Sequence, residues 1–196
     1  MAKLYFHYSS MNAGKSTALL QANHNYIERG MHPVLYTAKL DDREGEGKIR
    51  SRIGIKQEAE TFAEDDDLYR VVKAMNKERR VDCLLIDEAQ FLSKEQVSQL
   101  GRLVDEESIP ILTYGIRTDF LGETFEGSRY LMAWADEIKE IKTICHCGKK
   151  ATMNARVDAS GKMEKKGAQI EIGGNERYVS LCRGCFVQGR TGPLRA

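Results

Sequence analysis

The stretch SSMNAGKS at residues 9–16 decides the fold. It matches the phosphate-binding pattern G-x-x-x-x-G-K-[ST], except that Ser9 stands where the pattern has its first glycine. The glycine before Lys15 lets backbone N–H groups close around a phosphate, and a following helix adds its partial positive charge. Lys15 reaches the outer phosphates and Ser16 offers a hydroxyl to Mg²⁺. The loop therefore predicts nucleoside triphosphate binding by Ser9, Ser10, Met11, Asn12, Ala13, Gly14, Lys15 and Ser16.

The flanking sequence supplies the elements that such a loop needs. An apolar run at 4–8 predicts a strand before the loop, and helical spacing over 15–29, closed by Gly30, predicts a helix after it. The alternation of strand and helix patterns continues, and repeated βα units predict an α/β fold with a mainly parallel sheet between helices. A polar segment at 41–60 is expected to be a functional loop. Further strands are predicted at 33–38, 83–86, 109–114 and 138–144, and further helices at 68–79, 94–106 and 128–135.

The last quarter of the chain has a different character. Cysteines and glycines separate short alternating runs at 151–157, 169–172 and 178–181, which predicts small β structure. A length of 196 residues suits one ordinary domain with a small appendage. We therefore predict a nucleotide-binding domain at 1–142 and a second, cysteine-bearing domain at 143–196.

Composition and charge favour a soluble globular protein. The hydrophobic fraction is 41% and the charged fraction 30%, and no stretch has the pattern of a signal peptide or a membrane span. A cytoplasmic protein with no membrane partner is expected. Residues 1–142 hold 20 Lys and Arg against 25 Asp and Glu, whereas residues 143–196 hold 10 against 4. Because the basic residues are scattered, they favour a solvated surface over nucleic-acid binding.

An acidic pair follows the apolar run at 83–86. Asp87 would lie at the carboxyl end of the sheet and hold the hydration shell of Mg²⁺. Glu88 is the residue after this metal-binding acid, so its carboxylate is placed to accept a proton from an attacking hydroxyl. The alternative is that the two acids only form a solvated strand edge. Spacing does not decide whether that hydroxyl belongs to water or to a substrate, so ATPase and kinase both stay open. The predicted ATP and Mg²⁺ site takes in Asp87, Glu88, Ala89 and Gln90.

Four of the five cysteines fall in the second predicted domain. Without a secretory signal, metal binding is favoured over disulfides. The pair Cys182 and Cys185 has the two-residue spacing of a zinc knuckle, while the pair Cys145 and Cys147 encloses only His146. Two alternatives therefore stay open: His146 competes as a metal ligand, or the cysteines are ordinary reduced thiols. Cys83 lies within an apolar run and is predicted to be a core residue. The predicted zinc ligands are Cys145, Cys147, Cys182 and Cys185.

Five motifs in order carry a family resemblance: SSMNAGKST at 9–17, DDR at 41–43, DEAQF at 87–91, YGIRTDFLGETF at 114–125 and IGGNERYVSLC at 172–182. With them the chain resembles the thymidine kinases found in bacteria and in animal cytosol, and most of all the gammaproteobacterial members. The likeness spans nearly the whole chain. Five ordered motifs are far more specific than the phosphate loop alone.

The resemblance implies a RecA-like P-loop core with a small C-terminal zinc-ribbon and lasso domain. It implies transfer of the γ-phosphate of ATP to the 5′-hydroxyl of thymidine, with Mg²⁺ and structural Zn²⁺, in a homotetramer. Glu88 would be the general base, and Asp41 would support Mg²⁺ indirectly. The thymidine site would comprise Met11, Phe91, Phe120, Phe125 and Tyr178, with backbone groups of Ile170, Ile172 and Gly174 at the base edge.

Three competing interpretations stay open on the residues themselves. The first is a kinase for another deoxynucleoside, because the shape of the pocket decides between bases. The second is a zinc-ribbon ATPase that binds nucleic acid, suggested by the basic tail and the acidic pair. The third is a nucleotide sensor without catalysis, in which Glu88 would face away from the phosphates.

Overall fold

A six-stranded, wholly parallel sheet forms the centre of the molecule, with strand order β5-β2-β6-β7-β1-β8. The computed structural model describes residues 1–41, 45, 47–171 and 177–192. The predicted parallel α/β fold is confirmed. The strands of this sheet are β1 Leu4–Ser9, β2 Pro33–Ala38, β5 Glu60–Phe62, β6 Cys83–Ile86, β7 Ile111–Ile116 and β8 Glu137–Glu140.

Helices cover both faces of the sheet. One face packs on α1 through a cluster that includes Leu19, Leu35 and Leu85. The other face packs on α2, α3 and α4 through the larger cluster, which includes Phe6 and Leu100. The helices in the described residues are α1 Lys15–Glu28, α2 Leu68–Glu78, α3 Lys94–Glu107, α4 Glu126–Trp134 and the short α5 Arg183–Val187.

The central strand β6 coincides with the continuous apolar run at 83–86 that predicted it. All four of its residues are buried, because helices lie on both sides of the sheet. Cys83 is fully buried, as predicted, and burial raises the pKa of its thiol to about 12. β6 ends at the acidic pair and β1 ends at the phosphate loop, with β7 between them in the sheet. The two predicted motifs therefore meet at one edge.

The segment predicted as a loop at 41–60 holds more structure than expected. β3 Lys48–Arg50 and β4 Lys56–Glu58 form an antiparallel hairpin, and the edge strand β5 follows. Ile49 is the only buried residue of the two strands, so the strands leave no apolar pattern in the sequence. Their hydrogen-bonded pairing defines the hairpin.

Two other predicted strands are corrected. The run 138–144 divides into β8 and β9 Thr143–Ile144, which belong to different sheets. The run 109–114 is shifted to β7, because Pro110 has no N–H for the ladder and pairing begins at Ile111.

The chain after β8 forms two small antiparallel sheets and α5. β9 pairs with β10 Lys150–Ala151, and β11 Met153–Arg156 pairs with β12 Tyr178–Leu181. Residues 169–171 form no strand, against the prediction, and Ile172 lies outside the described residues. Three cysteines contribute to the small core, together with Ala155 and Leu181. Among the helices of the described residues, none is long and apolar enough to cross a membrane.

Candidate active site

The phosphate loop joins β1 to α1. Gly14 caps the helix in the left-handed conformation, with φ 88° and ψ 25°, and a Cβ there would meet nothing within 4 Å. The conformation and not the space therefore requires glycine. The carbonyl of Gly14 accepts a hydrogen bond from Ala18 N–H at 3.0 Å, which starts the helix. The loop thus presents the N-terminus of α1 toward the carboxyl edge of the sheet, where an anion is stabilised.

Ser9, the departure from the glycine pattern, supports the loop lysine. Lys15 is 9% exposed, and its Nζ donates to Ser9 Oγ at 3.3 Å. The Ser9 hydroxyl in turn donates to the carbonyl of Ser10. Both serines are buried and lie behind the cavity surface. A hydroxyl at this position therefore positions the ammonium group, which a glycine would not do.

Asp87 is a buried acid at the end of β6, 4% exposed. Burial, followed by the neighbouring charge of Glu88, raises the pKa of Asp87 to about 6, while the Ser16 hydroxyl and the Lys15 ammonium oppose this rise. A carboxyl group held beside a serine hydroxyl and a lysine is suited to a divalent cation, whose charge would offset the cost of burial.

Glu88 lies beside it in a strained backbone conformation. Its φ of 51° and ψ of 37° are left-handed, which is uncommon for a residue with a side chain and costs about 1 kcal/mol. It begins a single 3₁₀ turn, Ala89–Phe91. The Glu88 carboxylate is half-buried, lines the cavity and accepts a hydrogen bond from Gln90 Nε2. Glu88 therefore lies on the wall of the same cavity that the phosphate loop lines.

A single cavity of about 820 Å³ connects the loop, the acidic pair and an apolar pocket. That volume lies in the range of small-molecule sites. Ser9, Ser10 and Ala89 do not line it; Ala89 is fully buried beneath the turn. Ile172 and Gly174 lie outside the described residues. The predicted residues that line it are Met11, Asn12, Ala13, Gly14, Lys15, Ser16, Asp41, Asp87, Glu88, Gln90, Phe91, Phe120, Phe125, Ile170 and Tyr178.

Aromatic side chains form the apolar end of the cavity. Phe91 and Phe125 meet edge to face, with ring centroids 5.9 Å apart. Tyr178 is buried, and its hydroxyl donates to the carbonyl of Glu171 at 2.7 Å. The ring of Phe120 is 2% exposed. Together these rings give the cavity an apolar end with aromatic surface that could contact a planar base.

The hairpin β3–β4 lines the opposite side, which the sequence interpretation missed. Lys48, Arg50 and Arg52 border the cavity, as do their neighbours Ile49, Ser51 and Ile53. Three cations within five residues of the polar segment 41–60 were a usable sequence signal. Three cations suit the negative charge of a polyphosphate.

Residues of the C-terminal part hold the phosphate loop, and these were also missed. Met11 N–H donates to Asn154 Oδ1 at 2.7 Å, and the Ser180 hydroxyl donates to the Met11 carbonyl. Asn154 is 2% exposed, and its Nδ2 donates to the Thr118 carbonyl at 2.8 Å. The hairpin β11–β12 therefore fixes Met11 from both sides of its backbone.

A buried arginine, Arg156 on β11, organises the loop that covers the cavity. It is 1% exposed, its Nε donates to Glu164, and its guanidinium lies 3.0 Å from Glu171 Oε2. The carbonyls of Lys166 and Ala168 accept further hydrogen bonds. The guanidinium also stacks on Phe120, 3.8 Å from the ring centroid. In the sequence, the only sign of this role was a charged residue within the short alternating run at 151–157.

The four predicted zinc ligands lie together. Their sulfur atoms are all within 4.8 Å of one another, with Cys147 and Cys182 3.6 Å apart. Tetrahedral zinc with bonds of about 2.3 Å requires sulfurs roughly 3.8 Å apart, so the set fits. The backbone N–H of Cys185 donates to Cys182 and lowers the pKa of that thiol to about 7. The tight spacing around His146 therefore does not keep the first pair from converging with the second.

Comparison with known proteins agrees with this site. The sequence model of the family described as thymidine kinase matches residues 2–186. A thymidine kinase of Vibrio vulnificus is 60% identical over 183 residues, covering 93% of this chain and 95% of that protein. Those of Shewanella oneidensis and Mannheimia succiniciproducens are each 56% identical, covering 95% and 99% of this chain and 97% and 99% of their own lengths. With a family match over nearly its whole length, the chain belongs to the thymidine kinase family.

Proposed function

We propose that this chain transfers the γ-phosphate of ATP to the 5′-hydroxyl of thymidine. One observation carries the proposal: a single cavity joins the phosphate loop, the acidic pair and an aromatic pocket. A donor phosphate and an acceptor hydroxyl bound in it would meet beside Glu88. The nucleoside is assigned as thymidine because the relatives are named thymidine kinases. They match nearly the whole of this chain, which supports extending their substrate to it.

The donor end holds the triphosphate. The Lys15 ammonium and the N–H groups of the loop stabilise the phosphate oxygens, and the cations of β3–β4 close the other side. Ser16 and Asp87 would hold Mg²⁺, with Asp41 nearby on the cavity wall. Mg²⁺ held by these residues would supply positive charge that offsets the negative charge developing during transfer.

Glu88 would act as the general base. Its carboxylate takes the proton from the 5′-hydroxyl while the oxygen of that hydroxyl forms a bond to the γ-phosphorus. The bond between the γ-phosphorus and the bridging oxygen breaks, and ADP leaves. Half-burial of Glu88 limits contact with water, which would otherwise compete as acceptor.

The aromatic end would bind thymine. Phe91, Phe120 and Phe125 provide apolar surface, Met11 and Ile170 complete it, and Tyr178 supports the covering loop through Glu171. Backbone groups of that loop would contact the base edge. The proposal includes Ile172 and Gly174 for this task, by family resemblance.

The four cysteines and the assembly concern how the chain is organised. Zn²⁺ at the four cysteines would hold the second domain, 143–196, against the first, 1–142. A cytoplasmic protein without a nucleic-acid partner is proposed from the composition and the scattered charges, and a homotetramer from the family resemblance. Light scattering coupled to size-exclusion chromatography tests the assembly, and metal analysis of the purified protein tests the zinc.

Label transfer from γ-radiolabelled ATP to a panel of nucleosides tests the function. We expect labelled thymidine monophosphate, little label on deoxycytidine, and slow release of free phosphate. Label on another nucleoside in preference to thymidine would overturn the substrate assignment. ATP hydrolysis stimulated by DNA would instead support a nucleic-acid-dependent ATPase, and binding without transfer would support a sensor.

A further inference from the structure

We propose that Gln90 is a positioning residue that holds the Glu88 carboxylate in its reactive orientation. The inference rests on the proposed role of Glu88 as the base and goes beyond it. Gln90 was predicted as part of the ATP site, yet both ends of its side-chain amide bond to the protein. The amide therefore has a task within the enzyme.

The hydrogen bonds of Gln90 form a bridge. Its Nε2 donates to Glu88 Oε2 at 2.5 Å, and its Oε1 accepts from Ile116 N–H on β7 at 3.2 Å. A backbone N–H can only donate, so the amide oxygen must face Ile116 and the NH₂ group must face Glu88. The orientation of the amide is thus set by its partners. Gln90 is 3% exposed, so water does not compete strongly for either bond.

Two glycines, Gly115 of β7 and Gly127 of α4, allow these elements to pack closely against the turn that carries Gln90. A Cβ on Gly115 of β7 would lie 3.0 Å from both the N and the Oε1 of Gln90. A Cβ on Gly127 of α4 would lie 2.5 Å from Ala89 O and 2.9 Å from Gln90 O. Neither glycine has a positive φ, so close approach is what requires them. β7 therefore packs closely against the Gln90 amide, and α4 packs closely against the backbone of the same turn.

Glu88 needs such support because of its geometry. It has three side-chain torsions and a left-handed backbone, so the direction of its carboxylate depends on the contacts that hold it. A displacement of about 1 Å between reacting groups can lower a rate by about 10²-fold. By fixing Oε2, the bridge to β7 sets the plane of the carboxylate relative to the cavity. Gln90 would then act on catalysis only through Glu88.

Steady-state kinetics of Gln90→Met test this role. The substitution keeps the size of the side chain and removes both hydrogen bonds. We expect kcat to fall by about 10²-fold, while KM for thymidine and for ATP stays within roughly twofold. Gln90→Asn retains an amide that is too short to reach both partners, and we expect a similar loss from it. If Gln90→Met folds poorly, the kcat of Gln90→Asn still tests the proposed role of the amide.

Gln99→Met provides a matched control. Gln99 is also a buried glutamine whose Oε1 accepts a backbone N–H, that of Leu68 at 2.9 Å, but it lies on α3 away from the cavity. Its substitution is expected to lower the melting temperature and leave kcat unchanged. Thermal unfolding and ATP binding, measured for every variant, confirm that each is folded.

A double-mutant cycle separates positioning from other roles. In a Glu88→Gln background, Gln90→Met is expected to cause no further loss of kcat, because the carboxylate it positions is gone. An equal additional loss in that background would overturn the proposal, as would a raised KM with unchanged kcat. Glu88→Gln alone tests the base: full activity there refutes the proposed mechanism independently of the result at Gln90.

Discussion

Replacement of Arg156 by methionine should open the loop that covers the cavity. The loop at 158–171 wraps around the guanidinium, which bonds to two glutamates and two carbonyls and stacks on Phe120. Gly167 lies so close that a Cβ there would be 2.0 Å from the guanidinium. Methionine fills part of the volume but makes none of the polar contacts, so the loop loses its central attachment.

The magnitude follows from the burial of the partners. Removing one member of a buried ion pair costs about 3–5 kcal/mol when the other charge stays buried. The side chains of Glu164 and Glu171 are 23% and 43% exposed, so both can regain water after the substitution. That reduces the estimate to roughly 2 kcal/mol, including about 1 kcal/mol for the stack on Phe120. If this cost falls on the closed loop, thymidine affinity drops by up to about 30-fold.

Calorimetric titration of thymidine and ATP, with hydrogen exchange over 158–171, would measure the effect. We expect weaker thymidine binding, faster exchange in the loop and unchanged ATP affinity. Arg177→Met is the matched control: Arg177 contacts the same two glutamates at 3.0 and 2.6 Å, but its side chain is 34% exposed. It should cost less than about 1 kcal/mol. Equal effects of the two variants, or an equal loss of ATP affinity, would refute the assigned role of Arg156.

Further predictions concern the donor site and the cysteines. Glu88→Gln should lower kcat by about 10²–10⁴-fold with ATP binding retained, as measured by label transfer and titration. The pKa of Asp87 is raised from 3.8 to about 6. Ionised Asp87 therefore lowers the free energy of unfolding above pH 6, and this effect disappears as the pH falls toward 4. Asp87→Asn should therefore raise the free energy of unfolding by roughly 2–3 kcal/mol at pH 7 and change it little at pH 4, while abolishing turnover; equal effects at both pH values would contradict this. Cys182→Ser should release bound zinc and lower the melting temperature, and a melting temperature insensitive to chelators would count against a structural metal. Ser9→Gly restores the common loop pattern but removes the hydroxyl beside Lys15, so ATP affinity should fall by a few-fold at most, about 1 kcal/mol or less; a gain in affinity would show that the serine does not help to hold the lysine.

Local patterns predicted the centre of the molecule well. β2 and β6 have the predicted bounds, because a strand covered on both faces is a continuous apolar run. The phosphate loop and the acidic pair were found because their chemistry lies in contiguous residues. The exposed hairpin at β3 and β4 was missed, since pairing between polar strands leaves no hydrophobic period.

The contacts of the C-terminal part could not be predicted for a different reason. Asn154 bonds to Met11, 143 positions away in the chain, and to Thr118, 36 positions away. Nothing in the local sequence of β11 indicates these partners. A buried asparagine and a buried arginine become informative only when the fold shows what surrounds them. The roles proposed for individual site residues stay predictions that the variants above will test.

The hairpin β11–β12 links the two predicted domains more closely than their boundary suggests. Asn154 and Ser180 hold the backbone of Met11 in the phosphate loop, while Arg156 and Tyr178 hold the loop that borders the aromatic pocket. β12 ends at Leu181, directly before Cys182 of the cysteine cluster. A metal that orders this cluster would therefore order a strand that contacts both the phosphate loop and the aromatic pocket. Loss of zinc should then weaken thymidine binding and disturb the phosphate loop together, although no cysteine lines the cavity in the described part of the chain.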